Sequence, residues 1–405
     1  MNNHTKTNES KGGFLALMAL AISAFGIGTT EFVPVGLLST ISDDLHISIT
    51  MAGLLISGYA MGVAFGAPIL TALTNKMSRK TLLLLLMVVF IIGNGVAAVS
   101  TSFGLLLAAR IITAFSHGVF FSIGSTIAAD LVPPNKRASA IAFMFTGLTV
   151  ATVTGVPLGT FIGQHFGWRA TFAGVALLGV IGIIASALLI PKNLKDAPPS
   201  SFTDQLNVVK NGPLLLAFAI TALGYGGTFV AFTYLTPILQ DITGFKPNAV
   251  SVILLVYGIA VAIGNTVGGK AADKNPQRAL LWMFIAQAAV LVLLSFTAPF
   301  KIAGTITIFL MGMLAFMNVP GLQVLVVKLA ERHVPAAVNV ASALNIAAFN
   351  LGIAIGAFVG GIIVDSIGLI NTPWIGGVMV FGAVLLTMWS SALEKRHVQP
   401  KKKAA

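Results

Sequence analysis

Long apolar runs alternate with short polar segments along almost the whole of this 405-residue chain. About a dozen runs reach the roughly 20 residues that a helix needs to cross the hydrocarbon core of a bilayer. Isolated strands cannot cross lipid, because their backbone groups would lack hydrogen-bond partners there. The pattern predicts an all-α polytopic membrane protein with twelve transmembrane helices. These spans are expected at residues 13–38, 50–72, 81–100, 104–128, 138–161, 170–190, 212–238, 249–269, 279–298, 303–328, 336–364 and 373–392.

Composition supports this class and excludes several others. Hydrophobic residues make up 56% of the chain and charged residues 9%, whereas a soluble domain carries about 25% charged residues. The chain has no cysteine, which excludes disulfides, thiolate metal sites and cysteine nucleophiles. We find no other metal-ligand spacing, no phosphate-cradling loop and no nucleophile triad; Ser116 and His117 are neighbours that point to different sides of a helix. We therefore expect no metal and no cofactor, and an embedded enzyme is a remote alternative.

The distribution of basic residues predicts the orientation of the chain. With the N-terminus in the cytoplasm, 20 of the 24 lysines and arginines lie in cytoplasmic segments, three lie in outer loops, and Arg110 lies within a span. This imbalance follows the positive-inside rule. Orientation and attraction to anionic lipid also explain the net charge of +12 and the basic tail. We therefore expect no nucleic-acid partner. The first apolar run is long and is interpreted as a retained span rather than a signal peptide.

The two halves of the chain are repeats. A shift of 198 residues places Ala24, Gly26, Gly28 and Thr30 on Ala222, Gly224, Gly226 and Thr228, and it also places Tyr59 on Tyr257. A shift of 197 aligns Gly155, Gly159 and Gly163 with Gly352, Gly356 and Gly360. Parallel repeats of this kind are a transporter architecture. We expect a six-helix bundle at residues 1–190, a cytoplasmic linker at 191–211, and a second six-helix bundle with a basic tail at 212–405.

Two stretches resemble a known family: residues 30–38, Thr-Glu-Phe-Val-Pro-Val-Gly-Leu-Leu, and residues 167–169, Gly-Trp-Arg. Together with the repeat and the central polar segment, they resemble the major facilitator superfamily. The resemblance is closest to the twelve-span drug:proton antiporters, in the arabinose-efflux/sugar-efflux permease branch. It implies two bundles that rock about a central cavity and proton-coupled export of drugs or sugars. The expected partners are a small-molecule substrate, protons and the lipid bilayer, for a monomer in the bacterial inner membrane. Import, or facilitated transport of a sugar or solute, stays open.

Glu31 is the acidic residue that we place well inside a span. An acid at the centre of a spanning helix costs roughly 2.5–3.5 kcal/mol, so such groups are functional candidates. Arg110 in span 4 resembles the family's arginine there, and a rise of 1.5 Å per residue puts both residues about 10 Å from the outer end of their spans. Arg110 stabilises the ionised carboxylate and loss of water stabilises the protonated one, so we predict that Glu31 carries protons and Arg110 tunes it. His117 is a second candidate relay; the alternative is a hydrogen-bonding role in the bundle.

The polar segment between spans 2 and 3 resembles the family's loop motif at residues 71–80, although Thr71 and Asn75 replace its glycine and aspartate. The second half keeps those residues as Gly269 and Asp273. Charges that break and remake contacts at a rim form a plausible two-state gate; plain positive-inside anchoring is the alternative. The predicted inner-gate residues are Lys76, Arg79, Lys80, Asp130, Arg137, Asp273 and Lys274.

Span 5 resembles the family's antiporter motif, interrupted by Val156. Its small residues and their counterparts in span 11 are predicted to pack helices closely: Gly155, Pro157, Gly159, Gly163, Gly352, Gly356 and Gly360. Polar and aromatic residues in otherwise apolar spans suit the wall of a substrate cavity, or they form hydrogen bonds between helices. The predicted cavity residues are Thr30, Tyr225, Thr228, Phe232, Tyr234, Asn318, Gln323, Asn345 and Asn350.

Overall fold

The computed structural model describes residues 2–74, 77–133, 137–191, 194 and 202–398. The side chains of residues 2–11, 68, 71–73, 137–139, 202–205, 273–274, 336, 339 and 395–398 are outside this description. The first half contains α1 (Asn2–Leu45), α2 (Ile49–Leu73), α3 (Arg79–Ala98), α4 (Phe103–Asp130), α5 (Arg137–Val150), α6 (Val156–Phe166) and α7 (Trp168–Leu189). The second half contains α8 (Phe202–Val209), α9 (Gly212–Phe232), α10 (Leu235–Pro237), α11 (Pro247–Lys274), α12 (Pro276–Thr297), α13 (Lys301–His333), α14 (Val338–Ser366) and α15 (Thr372–Val398).

Within the described residues, 12 helices are long and apolar enough to cross a membrane. The fifth span combines α5 and α6 through a π-helical turn at Ala151–Gly155. The prediction of an all-α protein with twelve spans is therefore confirmed.

Polar side chains mark where several of these apolar helices begin. The hydroxyl oxygens of Ser48, Ser78 and Ser102 accept hydrogen bonds from the first turns of α2, α3 and α4. Asn211 and Asn275 do the same for α9 and α12. Such caps satisfy backbone N–H groups that the helix itself leaves without a partner. The short polar segments therefore fix the helix starts as well as separating the spans.

The helices form two compact units, Met1–Pro199 and Ser200–Ala405. Part of the segment that we expected to be a linker, residues 191–211, lies outside the described residues, and the described part contains helix α8. This helix packs against α9 and α14. Residues 202–209 are therefore part of the second unit.

Each unit packs its helices in the same pairs. In the first unit α2 packs on α4, α1 on α7, and α3 on both α4 and α7; in the second, α11 packs on α13, α9 on α15, and α12 on both α13 and α15. The register also repeats. Gly62 lies against the backbone of Ile111, and Gly264 against the backbone of Met313, a separation of 49 residues in both units. The shift of 198 residues places Gly66, one turn after Gly62, on Gly264. Gly66 lies against Phe115, which is again 49 residues later.

The predicted small-residue faces lie in helix contacts. A Cβ atom added at Gly155 would overlap the side chain of Thr29 in α1, and one added at Gly356 would overlap the carbonyl oxygen of Gly226 in α9. Because Thr29 and Gly226 lie close to equivalent positions of the repeat, Gly155 corresponds to Gly356 in the packing. The shift of 197 residues paired Gly155 with Gly352 instead, which is one helical turn before Gly356.

Candidate functional site

The candidate site lies in the first unit and begins with a proline in the middle of α1. Pro34 has no N–H group, so it cannot donate the helical hydrogen bond to the carbonyl oxygen of Thr30, four residues earlier. A buried carbonyl without a partner is unfavourable in a bilayer. The guanidinium of Arg110 in α4 supplies the missing donor: its Nη1 donates to this oxygen. The proline therefore creates the acceptor that holds the arginine.

Arg110 is 1% exposed and is satisfied mainly by uncharged groups. Its Nη1 also donates to the Thr30 hydroxyl at 3.2 Å, and its Nη2 reaches the main-chain oxygen of Glu31 at 3.5 Å. The guanidinium carbon lies 4.0 Å from the centre of the Tyr59 ring in α2, a cation–π contact. The Thr30 hydroxyl in turn donates to Asn94 of α3 at 2.6 Å. One polar chain thus joins α4, α1 and α3.

The carboxylate of Glu31 faces a different partner. Its Oε2 lies 4.0 Å from Nδ1 of His117, which is about two turns along α4 from Arg110. Within the described residues this is the one salt-bridge contact of Glu31, and no hydrogen bond from Arg110 reaches its carboxylate. Because Arg110 was expected to stabilise the ionised side chain of Glu31, we expected the guanidinium to contact the carboxylate, and this expectation is wrong. The arginine contacts the Glu31 backbone because the freed Thr30 carbonyl and the Tyr59 ring hold it there.

A second hydroxyl completes the site. The Tyr59 oxygen lies 3.1 Å from the same Nδ1 of His117, and the His117 ring also packs against Phe121 at 5.1 Å between ring centres. Glu31, Tyr59 and His117 are 8%, 1% and 5% exposed. An acid, an imidazole and a phenol thus meet at one nitrogen, in a buried setting that keeps bulk water away. This arrangement can accept, hold and pass a proton.

At the Arg79 end of this unit, Arg79 and Asp130 form a salt bridge of 2.7 Å between α3 and α4. Nearby, Nζ of Lys80 donates to the carbonyl oxygen of Ala187 at 2.7 Å and to that of Ile190, at the end of α7. Of the other predicted gate residues, Lys76 lies outside the described residues. For Arg137, Asp273 and Lys274 the helices are described and the side chains are not.

The opposite end of the unit holds the Gly-Trp-Arg stretch. Gly167 has φ +84°, which allows the sharp turn between α6 and α7. Arg169 donates to Asp44 at 2.7 Å and to the carbonyl oxygen of Ser100 at 2.8 Å. The indole of Trp168 also donates to Asp44, at 3.0 Å. These contacts tie the ends of α1, α3 and α7 together.

In the second unit, the predicted cavity residues fall into two hydrogen-bonded groups and an aromatic cluster. In the first group, Asn318 donates to Gln287 at 2.9 Å, and Gln287 donates to Thr228. In the second, Thr221 donates to Asn345 at 2.8 Å, Asn345 donates to Gln323 at 2.7 Å, and Gln323 donates to Ser342. These amides therefore link helices, as the alternative interpretation expected.

The aromatic cluster surrounds Tyr225, whose ring lies 5.0–5.5 Å from those of Phe229, Phe316 and Phe349. Phe232 stacks on Tyr257 with ring centres 4.9 Å apart. Two other candidates bond to backbone: Tyr234 donates to the carbonyl oxygen of Ala357 at 3.1 Å, and Asn350 donates to that of Ile346 at 3.0 Å. The four predicted cavity residues among them are buried in the second unit: Tyr225, Phe232, Tyr234 and Asn350.

Five members of the hydrogen-bonded networks were not among the predicted site residues: Tyr59, Asn94, Thr221, Gln287 and Ser342. Asn94 and Gln287 were recognisable as lone amides within strongly apolar runs. Tyr59 had a weaker signal, since it appeared as one of the positions that the repeat preserves. Among the residues described, no group of three His, Cys, Asp or Glu side chains is placed to hold a metal ion.

Comparisons with known proteins agree with this architecture. Residues 20–342 match the model of the Major Facilitator Superfamily. The chain is 64% identical over 393 residues to the uncharacterized MFS-type transporter YtbD of Bacillus subtilis (strain 168), which covers 97% of this chain and 99% of that protein. It is 40% identical over 383 residues to the inner membrane transport protein YdhP of Escherichia coli (strain K12), covering 94% and 97%.

The fold is also found in a crystal structure of a bacterial homologue of the human lysosomal transporter Spinster, in an inward-facing and unoccupied conformation. The TM-score is 0.69 at 16% identity, over 94% of this chain and 96% of that one. The family consists of transporters, so the alternative of an embedded enzyme is discarded. With its twelve spans, its repeated helix packing and these relatives, the chain belongs to the major facilitator superfamily and is a multi-pass membrane transporter.

Proposed function

We propose that this transporter exports small organic molecules in exchange for protons, and that Glu31 carries the proton. The observation that carries the proposal is the position of the Glu31 carboxylate: it is buried in a spanning helix, 4.0 Å from the His117 imidazole and without a hydrogen bond from Arg110. A carboxylate fixed permanently as an ion would be expected to keep its cation close. Here the fixed cation is bonded to carbonyl oxygens, which leaves the carboxylate able to change its protonation state.

The neighbours of Glu31 support a cycle with two states. Loss of water favours the protonated carboxyl group, whereas access of water and the nearby Arg110 charge favour the carboxylate. A transporter that alternates between two states can therefore load the proton in one and release it in the other. His117 is placed to receive or return the proton at Nδ1. Substrate and proton would then compete for binding in the first unit. Because one leaves as the other binds, transport is an exchange.

The direction and the substrate class rest on other grounds. The resemblance of residues 30–38 and 167–169 to the arabinose-efflux branch favours export, and drugs or sugars are the substrate classes that this branch implies. The aromatic cluster around Tyr225 in the second unit suits an uncharged or weakly polar organic molecule. Import, or facilitated transport of a sugar or solute, is the second candidate within the same fold.

The test is transport in sealed vesicles with an imposed pH gradient. Glu31→Gln resembles the protonated carboxyl group, so the variant should fold and keep substrate exchange, but lose accumulation driven by the gradient. Glu331→Gln, at an exposed position on α13, is the matched control and should accumulate substrate as the wild type does. Uphill transport at the wild-type rate in Glu31→Gln would refute the proposal. Accumulation with the proton flux, rather than against it, would favour the importer.

Orientation is part of the proposal. We place both termini in the cytoplasm because 20 of the 24 basic residues then lie on that side. The chain has no cysteine, so single cysteines can report each side. A cysteine at the exposed position 246 should react with an impermeant reagent added outside intact cells, and one at the exposed position 210 should not. The reverse pattern would overturn the orientation.

A further inference from the structure

Tyr59 and Glu31 approach the same nitrogen of His117. The Tyr59 oxygen lies 3.1 Å from Nδ1, within hydrogen-bond distance, while Oε2 of Glu31 lies 4.0 Å from that atom. A neutral imidazole nitrogen that accepts has one lone pair, so it can take a proton from one donor at a time. The phenol therefore occupies the position that a protonated Glu31 would need.

We propose that Tyr59 is a positioning residue that competes with Glu31 for Nδ1 of His117 and thereby times the transfer of the proton. The inference rests on the proposed function of Glu31. While the Tyr59 hydroxyl donates to Nδ1, the His117 proton stays on Nε2 and Glu31 keeps its own proton. When Tyr59 withdraws, the carboxyl O–H can donate to Nδ1 and pass its proton there. That transfer leaves a carboxylate beside an imidazolium, and reversal returns the proton to Glu31.

Arg110 gives Tyr59 a fixed place from which to act. Its guanidinium lies over the Tyr59 ring at 4.0 Å and is itself held by the Thr30 carbonyl oxygen. A movement of α1 relative to α4 would therefore shift Arg110, and with it the ring of Tyr59. This links the hydroxyl at Nδ1 to the same helix that carries Glu31.

The ionisable groups around His117 are few. Glu31 faces it from α1, Tyr59 from α2, and Arg110 lies on its own helix. The other helices packed against α4 are α3 and α5. Their ionisable residues are Arg79, Lys80 and Arg137, at the far end of the unit. A change in the pH dependence of transport after loss of the Tyr59 hydroxyl would therefore report on Glu31, Tyr59 and His117.

The repeat provides a matched control. Tyr257, the counterpart of Tyr59, is 3% exposed, stacks on Phe232, and has a hydroxyl without a hydrogen-bond partner within the described residues. Tyr59→Phe and Tyr257→Phe each remove one buried hydroxyl and keep the ring. In Tyr59→Phe the contact with Arg110 also stays. The two variants differ in whether the lost hydroxyl contacted His117.

The first experiment measures gradient-driven transport against pH. Tyr59→Phe removes the hydroxyl that competes for Nδ1 of His117, so the protonated carboxyl group of Glu31 gains a hydrogen-bond acceptor. Glu31 should therefore stay protonated up to a higher pH. We expect the alkaline half-maximum to move upward by roughly 0.5–1 pH unit, the worth of one net hydrogen bond. Tyr257→Phe should leave it unchanged, and Tyr59→Phe should add no shift in a His117→Asn background. An unshifted Tyr59→Phe profile, or an equal shift in Tyr257→Phe, overturns the inference.

A second measurement does not need transport. Nitrogen-15 NMR of the purified protein, with the His117 signal assigned from His117→Asn, reports which ring nitrogen carries the proton. The wild type should show an unprotonated Nδ1, and Tyr59→Phe a mixed population; a protonated Nδ1 in the neutral wild-type ring overturns the inference. Loss of gradient-driven transport in Glu31→Gln together with a wild-type profile in Tyr59→Phe would sink this inference and leave the proposed function standing.

Discussion

The two units have the same helix packing, but buried positions that are ionisable in the first unit are apolar in the second. The shift of 198 residues that relates them places Phe229, Ile308 and Ala315 of the second unit at the positions of Glu31, Arg110 and His117. These three apolar residues are each 1% exposed, so the equivalent positions are buried in both units. Apolar side chains therefore suffice to build this bundle. The fold of the bundle by itself therefore does not require an ionisable side chain at these three positions, which is the strongest structural reason to assign Glu31 and His117 a function.

What the two units keep in common is also informative. Thr30 and Thr228 both bond to an amide on the third membrane-spanning helix of their unit, to Asn94 on α3 and to Gln287 on α12. Tyr59 and Tyr257 are buried at the same register. The shared threonines are neutral and hold helices together, whereas Glu31, Arg110 and His117, which have apolar counterparts, can carry charge. This contrast separates the scaffold from the proposed proton site, and it can be tested residue by residue.

The largest effect is expected at a position of the second unit where one helix backbone lies directly against another. In Gly356→Val the new side chain would overlap the backbone of Gly226, and backbone cannot rotate away. Overpacking of this kind costs about 1–3 kcal/mol or more, so folded protein should be largely lost. Gly155→Val meets the Thr29 side chain instead and should be destabilised less. The yields and the thermal unfolding of the two purified variants measure the difference. Equal losses of folded protein would show that contact with backbone, rather than with a side chain, makes no difference to the two faces.

Next in size is the loss of His117, tested by inserting the residue that the second unit uses. His117→Ala should fold, since Ala315 occupies the equivalent buried position. Removal of a proton relay commonly costs about 10²-fold in rate, so gradient-driven transport should fall by about that factor while substrate exchange stays. Transport and exchange in the same vesicles provide the comparison. A variant that unfolds would show that His117 is needed for the scaffold.

A smaller effect is expected from Pro34, which has Phe232 as its counterpart. In Pro34→Ala the new N–H group can donate to the Thr30 carbonyl oxygen and so compete with Arg110. We expect the free energy of unfolding to rise by about 1 kcal/mol, the net worth of the regained backbone hydrogen bond, and gradient-driven transport to fall severalfold, because Arg110 is less firmly held. Thermal unfolding and vesicle transport test both. Wild-type transport would mean that the freed carbonyl is unimportant.

The smallest effect concerns the two tyrosines. Tyr257→Phe removes a buried hydroxyl that has no partner among the described residues, so stability should stay the same or rise slightly. Tyr59→Phe removes a hydroxyl that bonds His117, which should lower stability by about 0.5–1.5 kcal/mol. Unfolding in denaturant distinguishes the two. A reversed order would contradict the hydrogen bond between Tyr59 and His117.

Sequence reasoning recovered the scaffold well because span length, apolar composition and the repeat are long-range patterns. It also singled out Glu31, Arg110 and His117, since ionisable residues are rare in apolar runs. It failed on which atoms meet. The depth of Glu31 and Arg110 suggested a pair, but Pro34 frees a carbonyl that takes the guanidinium, and the carboxylate turns to His117. Contacts of this kind depend on side-chain direction and helix register, which spacing along the chain does not specify.

The central claim, that Glu31 changes protonation during transport, is tested most directly by infrared difference spectroscopy of the purified protein during a pH titration. A protonated buried carboxyl group has a C=O stretch separate from those of carboxylates and amides. We predict a band that disappears as pH rises through the range in which transport falls, that is absent in Glu31→Gln and that persists in Glu331→Gln. If the band assigned to Glu31 does not change across that range, Glu31 is not the proton carrier.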